Sequence, residues 1–351
     1  MTFLHGAQHG GPDAQGAAPH DFSTNGNACG PCPDALRALQ RADAAHYPDP
    51  AYTVLRQRLA GFHGVDADRI VMAASASEFI FRITAAVAAQ RGEAPQVLLP
   101  PLSYGDYARA AQVWRLPVRR VNSTADAAAE ASGRNSTLVW RCDPSSPLGQ
   151  SDAGLGIGLH ALPHAAICVV DMAYAPLRLD GGTAVGAAAL DRAWQLWTPN
   201  KALGLTGVRA AYAIAPIAPI GADGFRDAVA ALSPSWPVGA HGVAMLDAWT
   251  RGPVRQWLAE SLQTLRGWKA RQIDLCGSMG WRVVPGDANF FCAAPPVDDV
   301  AALCTSLRAQ GVKLRDTASF GLPGQVRVAV LGPASQAAFH AAWHAVVKAA
   351  G

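Results

Sequence analysis

Charge is scarce in this sequence. Asp, Glu, Lys and Arg make up 16% of its 351 residues, and the formal net charge is +3 with no basic run. Charge so thin and unclustered excludes the electrostatic footprint of a nucleic-acid binder. Half of the residues are hydrophobic, yet no apolar run approaches the length of a membrane span. The first residues, MTFLHGAQHGG, lack the apolar core of a secretory signal, so the cytoplasm is the expected compartment. The seven cysteines are an odd and scattered set, which suits reduced thiols better than a disulfide framework. Repeats are absent, and only the alanine-rich stretch 125–131 is of low complexity. What remains is a chain long enough for one large and one small domain around a sizeable core.

Residues 1–32, rich in Gly, His, Asn and Pro, read as an extended arm. Pro33 suits the first turn of a helix with Leu36 and Leu39 on one face. Leu55, Leu59 and Phe62 mark a second helix beyond the break His46-Tyr47-Pro48-Asp49-Pro50. From about residue 69, short apolar runs alternate with helical patterns. Strands are expected at 70–73, 97–99, 117–121, 137–140, 166–170, 194–197 and 210–214. Helices are expected after Ser75 and at 104–113. Such alternation predicts an α/β fold with a mostly parallel sheet. After about residue 235 the texture changes to a long helix over 254–279, strands at 281–284, 289–293 and 325–330, and helices near 299–309 and 334–349. This part reads as a smaller α+β domain. The expected division is 1–46 as arm and helix belonging to the small domain, 47–238 as the large domain, and 239–351 as the rest of the small domain.

Chemistry is concentrated in Trp197-Thr198-Pro199-Asn200-Lys201-Ala202-Leu203-Gly204-Leu205-Thr206-Gly207-Val208-Arg209. Lys201 follows an apolar run and has no acidic neighbour in sequence to hold it protonated. A partly desolvated lysine amine can act as a nucleophile near neutral pH. Asp171 closes the apolar run 166–170, at a strand's carboxyl end, where open α/β sheets bind ligands. An aspartate there can pair with a protonated ring nitrogen, or simply cap the strand. Ser75-Ala76-Ser77 precedes a helix; its N–H groups and hydroxyls suit a phosphate ester, or serve only as an N-cap.

Together these segments resemble the fold-type-I pyridoxal-phosphate enzymes, the class I/II aminotransferase superfamily. Matches run in order from about residue 9 to 330. The resemblance implies a three-layer α/β fold, a pyridoxal 5'-phosphate cofactor and Lys201 as the Schiff-base lysine. Asp171-Met172-Ala173-Tyr174 is similar to the family's Asp-Glu-Ala-Tyr, which gives Tyr174 a hydrogen bond to the cofactor's phenolic oxygen. Thr198 and Arg209 match phosphate ligands, and an arginine fork grips phosphate with two bonds. Tyr104 matches the aromatic that stacks on the cofactor ring, a place otherwise filled by an ordinary core residue. Asp143-Pro144-Ser145-Ser146-Pro147-Leu148-Gly149 resembles Asn-Pro-Asn-Asn-Pro-Thr-Gly, but the asparagine that donates to the phenolic oxygen is replaced by Ser146. Arg327 matches the arginine that clamps the substrate carboxylate; an outward-facing strand residue is its alternative. Asn27 matches a substrate-side asparagine, and Tyr47 a tyrosine reaching the neighbouring subunit's cofactor phosphate.

The resemblance thus implies a homodimer with a shared active site, acting on a small-molecule amino donor and a keto acid. Within the superfamily, Tyr47-Pro48-Asp49-Pro50 and the N-terminal asparagines look like the histidinol-phosphate aminotransferase branch. His9-Gly10-Gly11 with Asp21-Phe22-Ser23 looks more like threonine-phosphate decarboxylase. The expected reaction is transamination of an amino acid or amino-alcohol phosphate, with decarboxylation as the alternative. Arg178 and Arg315 are candidates for a substrate phosphate. Cys29-Gly30-Pro31-Cys32 spells a thioredoxin-type redox motif or half of a zinc site. It follows a polar arm rather than a strand, and no second ligand pair is suitably spaced, so no metal is expected.

Overall fold

The computed structural model describes residues 10–90, 95–133, 136–182, 185–217 and 224–350, with backbone alone at 349 and 350. His9 of the His-Gly-Gly motif lies outside the described residues.

Seven strands form the principal sheet: β1 (Ile70–Ala73), β2 (Gln96–Leu99), β3 (Val118–Arg120), β4 (Thr137–Cys142), β5 (Ala166–Asp171), β6 (Trp194–Trp197) and β7 (Ala211–Ile214). Their order across the sheet is β1-β7-β6-β5-β4-β2-β3. All neighbours run parallel except β7, which is antiparallel to both β1 and β6. The sheet is buried on both faces. Along β5, Ile167 and Val169 join one apolar cluster with Phe79, Ile80 and Trp194. Ala166, Cys168 and Val170 join another with Leu155, Leu159 and Val139. Side chains alternate across a strand, so a strand covered by helices on both faces needs an unbroken apolar run. That is why the sequence reads 166–170 as continuous rather than alternating. At the edge, β3 is shorter than the expected 117–121, and Arg119 and Arg120 are exposed. Charged side chains on an edge strand discourage further pairing.

A second sheet contains β8 (Arg282–Val284), β9 (Phe290–Ala294), β10 (Arg315–Asp316) and β11 (Val326–Ala329). It is antiparallel throughout, in the order β10-β11-β9-β8. Its core holds Phe291, Val326, Val328, Phe339 and Trp343. The N-terminal arm is stitched to this sheet. His20–Asp21 pairs in parallel with Val312–Lys313, the Ala329 N–H donates to the Phe22 carbonyl, and Phe22 packs on Phe339. The helix Pro33–Gln40 has Pro at its start as expected and lies against Ala240–Trp249. The long helix spans Gly252–Ser278.

Candidate active site

Strand register assembles the site. Residues 142 and 171 are partners at the carboxyl ends of β4 and β5, and Asp171 lies opposite Leu196 of β6. Cys142, Asp171 and Thr198 therefore stand at neighbouring strand ends. They border a cavity of about 230 Å³. Its wall also includes Ser75, Ala76, Ser77, Tyr104, Ser146, Tyr174, Lys201, Arg209 and Arg327. The chain thus folds most of the sequence-derived candidates into one concavity.

One end of this cavity is built for an anion. Ser75 caps the helix Ala76–Ala88 by accepting a bond from the Glu78 N–H at 3.1 Å. The remaining first-turn N–H groups have no partner within the helix, and the helix dipole is positive there. Arg209 is exposed at the rim. The Thr198 hydroxyl is buried and makes no hydrogen bond among the described residues. A buried hydroxyl without a partner is costly, and a phosphate oxygen would satisfy it. Tyr104 Oη lies 3.3 Å from Ser77 Oγ, and burial pushes its hydroxyl up to about 12.

Asp171 supplies the opposite charge. It is buried and accepts 2.7 Å and 2.9 Å bonds from Tyr107 Oη and the Ala173 N–H. Burial raises its carboxyl above the ordinary carboxylate range, while Tyr107, Ala173 and the charge of Lys201 pull it back. Lys201 Nζ sits 5.4 Å from the centre of the Tyr174 ring. The lysine loop is held from behind: Asn27 N–H donates to the Lys201 carbonyl at 2.8 Å, and Asn200 Nδ2 reaches the Thr206 and Val208 carbonyls. Tyr174 Oη accepts a 3.3 Å bond from Asn25 Nδ2, and its ring meets Phe290 edge-on. An anion cradle, a buried carboxylate and a lysine in one cavity match the phosphate, ring nitrogen and aldehyde of pyridoxal phosphate.

Another part of the wall carries two arginines. Arg315 and Arg327 are register partners on β10 and β11, are both buried, and both line the cavity. Phe320 lies between them, 4.8 Å from the Arg315 guanidinium and 5.5 Å from that of Arg327. Burial, then the charge of Arg327, lowers Arg315 to about 10. Arg327 approaches Ser146 Oγ and the Ser23 carbonyl at 3.4 Å and 3.3 Å, and its Nε has no partner among the described residues.

Three candidates fall elsewhere. Asn27 does not border the cavity. Its side chain is spent on Ser261 Oγ, the Ala202 carbonyl and the Cys29 N–H, which makes it a brace for the lysine loop. Arg178 is not a wall residue either. It is buried against Asp143 at 2.6 Å and also bonds Ser151. Tyr47 is 78% exposed and stacks on Trp236 at 4.5 Å, away from this chain's own cavity. Cys32 stands at the N-cap position of the helix Pro33–Gln40 without a side-chain capping bond, and burial raises the thiols of both Cys29 and Cys32, the reverse of the depressed thiol a redox motif uses. The sequence reading missed Tyr107 and Asn25. Tyr107 stands three residues after Tyr104, a spacing that puts both on one helix face, and that signal was available.

The model of the aminotransferase class I and II family matches residues 19–338. Histidinol-phosphate aminotransferase of Erythrobacter litoralis is 31% identical, over 90% of this chain and 88% of its own. The enzyme of that name from Symbiobacterium thermophilum is 29% identical, over 90% and 87%. Among solved structures, histidinol-phosphate aminotransferase of Sinorhizobium meliloti, in complex with pyridoxal 5'-phosphate, shares the fold with a TM-score of 0.76 at 20% identity, covering 93% of this chain and 90% of that one. L-threonine-O-3-phosphate decarboxylase of Porphyromonas gingivalis shares it at 0.71 and 22%, covering 93% and 97%. With the cavity already fitted to the same cofactor, the chain belongs to the aminotransferase class I and II family and is a pyridoxal-phosphate-dependent aminotransferase of fold type I.

Proposed function

We propose that this aminotransferase moves an amino group between an anionic amino donor, an amino acid or amino-alcohol phosphate, and a keto acid. The paired guanidiniums of Arg315 and Arg327 in the cavity carry this reading. Two buried like charges repel, and a bound dianion relieves that repulsion. Arginine suits the task because its planar fork meets phosphate or carboxylate with two bonds. The relatives' name, histidinol-phosphate aminotransferase, agrees with a phosphate ester at this place.

Pyridoxal phosphate, when bound, supplies a carbonyl that takes the amine and a ring that accepts electrons. The chain's residues do the rest. The first turn after Ser75, with Ala76 and Ser77, holds the cofactor phosphate together with Thr198 and Arg209. Tyr104 covers the ring face, Asp171 keeps the ring nitrogen protonated, and Tyr174 donates to the phenolic oxygen. Ser146, where the family has asparagine, is a shorter group beside Arg327. Arg327 and Arg315 orient the donor so that its Cα–H bond faces Lys201. Lys201 Nζ would take that proton from Cα and deliver it to the cofactor's carbonyl carbon, the general acid–base work of transamination.

The reading extends to a homodimer with a shared site. Tyr47 and Trp236 form an exposed aromatic pair, 78% and 41% accessible, of the kind an interface covers. A cytoplasmic location fits a biosynthetic transaminase; among the described residues no helix is long and apolar enough to cross a membrane.

The deciding experiment is a half-reaction. The cofactor-loaded protein is incubated without keto acid with histidinol phosphate, threonine phosphate and unphosphorylated amino acids. Release of a keto or aldehyde product, fastest from a phosphate ester, is the expected result. Carbon dioxide release would replace transamination by decarboxylation, and no preference for a dianion would remove the role given to Arg315 and Arg327.

A further inference from the structure

We propose that Tyr107 is a positioning residue that holds Asp171 ionised and aimed at the cofactor's ring nitrogen. The inference rests on the reading of Asp171 as that nitrogen's partner. Its own basis is geometric. Tyr107 is fully buried on the helix Gly105–Val113, and its hydroxyl donates to Asp171 Oδ2 at 2.7 Å. The other carboxylate oxygen, Oδ1, takes the Ala173 N–H at 2.9 Å. Each oxygen therefore has one fixed donor and a lone pair left for a ligand. The carboxylate plane is set from two sides before anything binds.

The phenol is itself held. Its ring stacks on Trp140 with centroids 4.4 Å apart and planes 8° from parallel, and Trp140 is fully buried in β4. Tyr104, the residue given to the ring face, meets Tyr107 edge-on at 5.8 Å. One helix turn thus carries both the group that covers the ring and the group that orients its nitrogen partner. The proton must lie on the tyrosine, because burial and the neighbouring carboxylate both oppose ionisation of the phenol. A buried carboxylate is otherwise pushed toward its neutral form. A neutral acid has lost the charge that keeps a pyridinium protonated. Burial acts in that direction on Asp171, and the Tyr107 bond acts against it.

The test reads binding rather than turnover. Cofactor-free protein is titrated with pyridoxamine phosphate and with its deaza analogue, in which C–H replaces the ring nitrogen. The ratio of the two dissociation constants isolates the nitrogen's partner. Tyr107→Phe keeps the ring on Trp140 and is expected to shrink the wild-type preference by about tenfold, the effect of one hydrogen bond to a charged group. Asp171→Asn should abolish the preference, and the double variant should behave as Asp171→Asn alone. A merely structural tyrosine would weaken both ligands equally and leave the ratio unchanged; that result overturns the proposal while Asp171 keeps its role. A ratio unchanged in Asp171→Asn overturns both. Should Tyr107→Phe not fold, Tyr107→His, which retains a donor, is compared with Tyr107→Leu. The proposal then requires the larger preference in the histidine variant, and equal ratios refute it.

Discussion

Replacing Arg178 with methionine removes a cation while keeping most of the side-chain volume. In the folded chain the Arg178 and Asp143 side chains are 6% and 5% exposed, with Nη2 2.6 Å from Oδ2. Asp143 also takes the Asp152 N–H, while Arg178 reaches Ser151 and lies 4.0 Å from Asp287. Breaking a buried pair from one side leaves an uncompensated charge, at a cost of about 3–5 kcal/mol. With an unfolding entropy of about 2.1 cal/mol/K per residue over 351 residues, that lowers the melting midpoint by roughly 4–7 °C. Removing both partners, Asp143→Asn with Arg178→Met, should recover most of the loss. The pH dependence has a definite sign. Burial raises the Asp143 carboxyl above its ordinary 3.8, and Arg178 opposes the rise. A raised carboxyl favours the fold below the unfolded value, and that contribution is lost as pH rises through the folded value. Without Arg178 the rise is larger. The deficit of Arg178→Met should therefore be greatest near neutral pH and shrink as pH falls toward 3.8. Denaturant and thermal unfolding of the single and double variants measure it. A deficit under about 1 kcal/mol, indifferent to pH and to Asp143→Asn, would refute the reasoning. Normal stability with a loss of affinity confined to phosphorylated substrates would return Arg178 to a ligand role.

Lys201→Ala should abolish the visible absorption of the cofactor-loaded protein and all transamination, as read by spectrophotometry and amine-product assay. Thr198→Val should leave the cofactor-free protein as stable or more so, because it removes a buried hydroxyl with no partner among the described residues, yet weaken cofactor binding about tenfold in an equilibrium titration. Gly158→Ala should destabilise by about 1–3 kcal/mol in denaturant unfolding, because a Cβ there would stand 2.3 Å from Thr124 Cβ. Tyr47→Ala should leave the chain's own melting unchanged but weaken self-association in sedimentation, and weaken cofactor binding only at concentrations where the dimer forms.

The principal sheet was legible because its strands are covered on both faces. Each strand so covered must then be a short apolar run, and 70–73, 137–140, 166–170 and 194–197 stand out against polar flanks. Several short helices were not. Thr124–Ala131 rests on a capping box between Ser123 and Asp126 and on alanines, which leave no apolar stripe to read. Leu155–Ala161 and Phe225–Ala231 span two turns or fewer, too short for a period to establish itself. At the site, residues that border the cavity were found because their types are chemically demanding. Those that face each other were not: whether Arg178 meets a substrate or Asp143 depends on a contact across 35 positions, which no local pattern encodes.

The departure at Ser146 shows how a local substitution is read differently once neighbours are known. By sequence, a serine in place of the family asparagine takes away a donor to the phenolic oxygen. In the fold, Ser146 Oγ lies beside Arg327, and Tyr174 is backed by Asn25, whose Nδ2 donates to the tyrosine oxygen. A hydroxyl that accepts from behind keeps its own proton for the opposite side. Tyr174 borders the cavity, so that proton is available there. Asn25 in turn is placed by the arm, whose Asn25 and Gly26 carbonyls accept from Asn289 Nδ2. The arm therefore does more than cover the sheet edge. Through Asn27 it fixes the lysine loop, and through Asn25 it orients the tyrosine, so the Asn-Gly-Asn segment reaches both Tyr174 and the loop that carries Lys201.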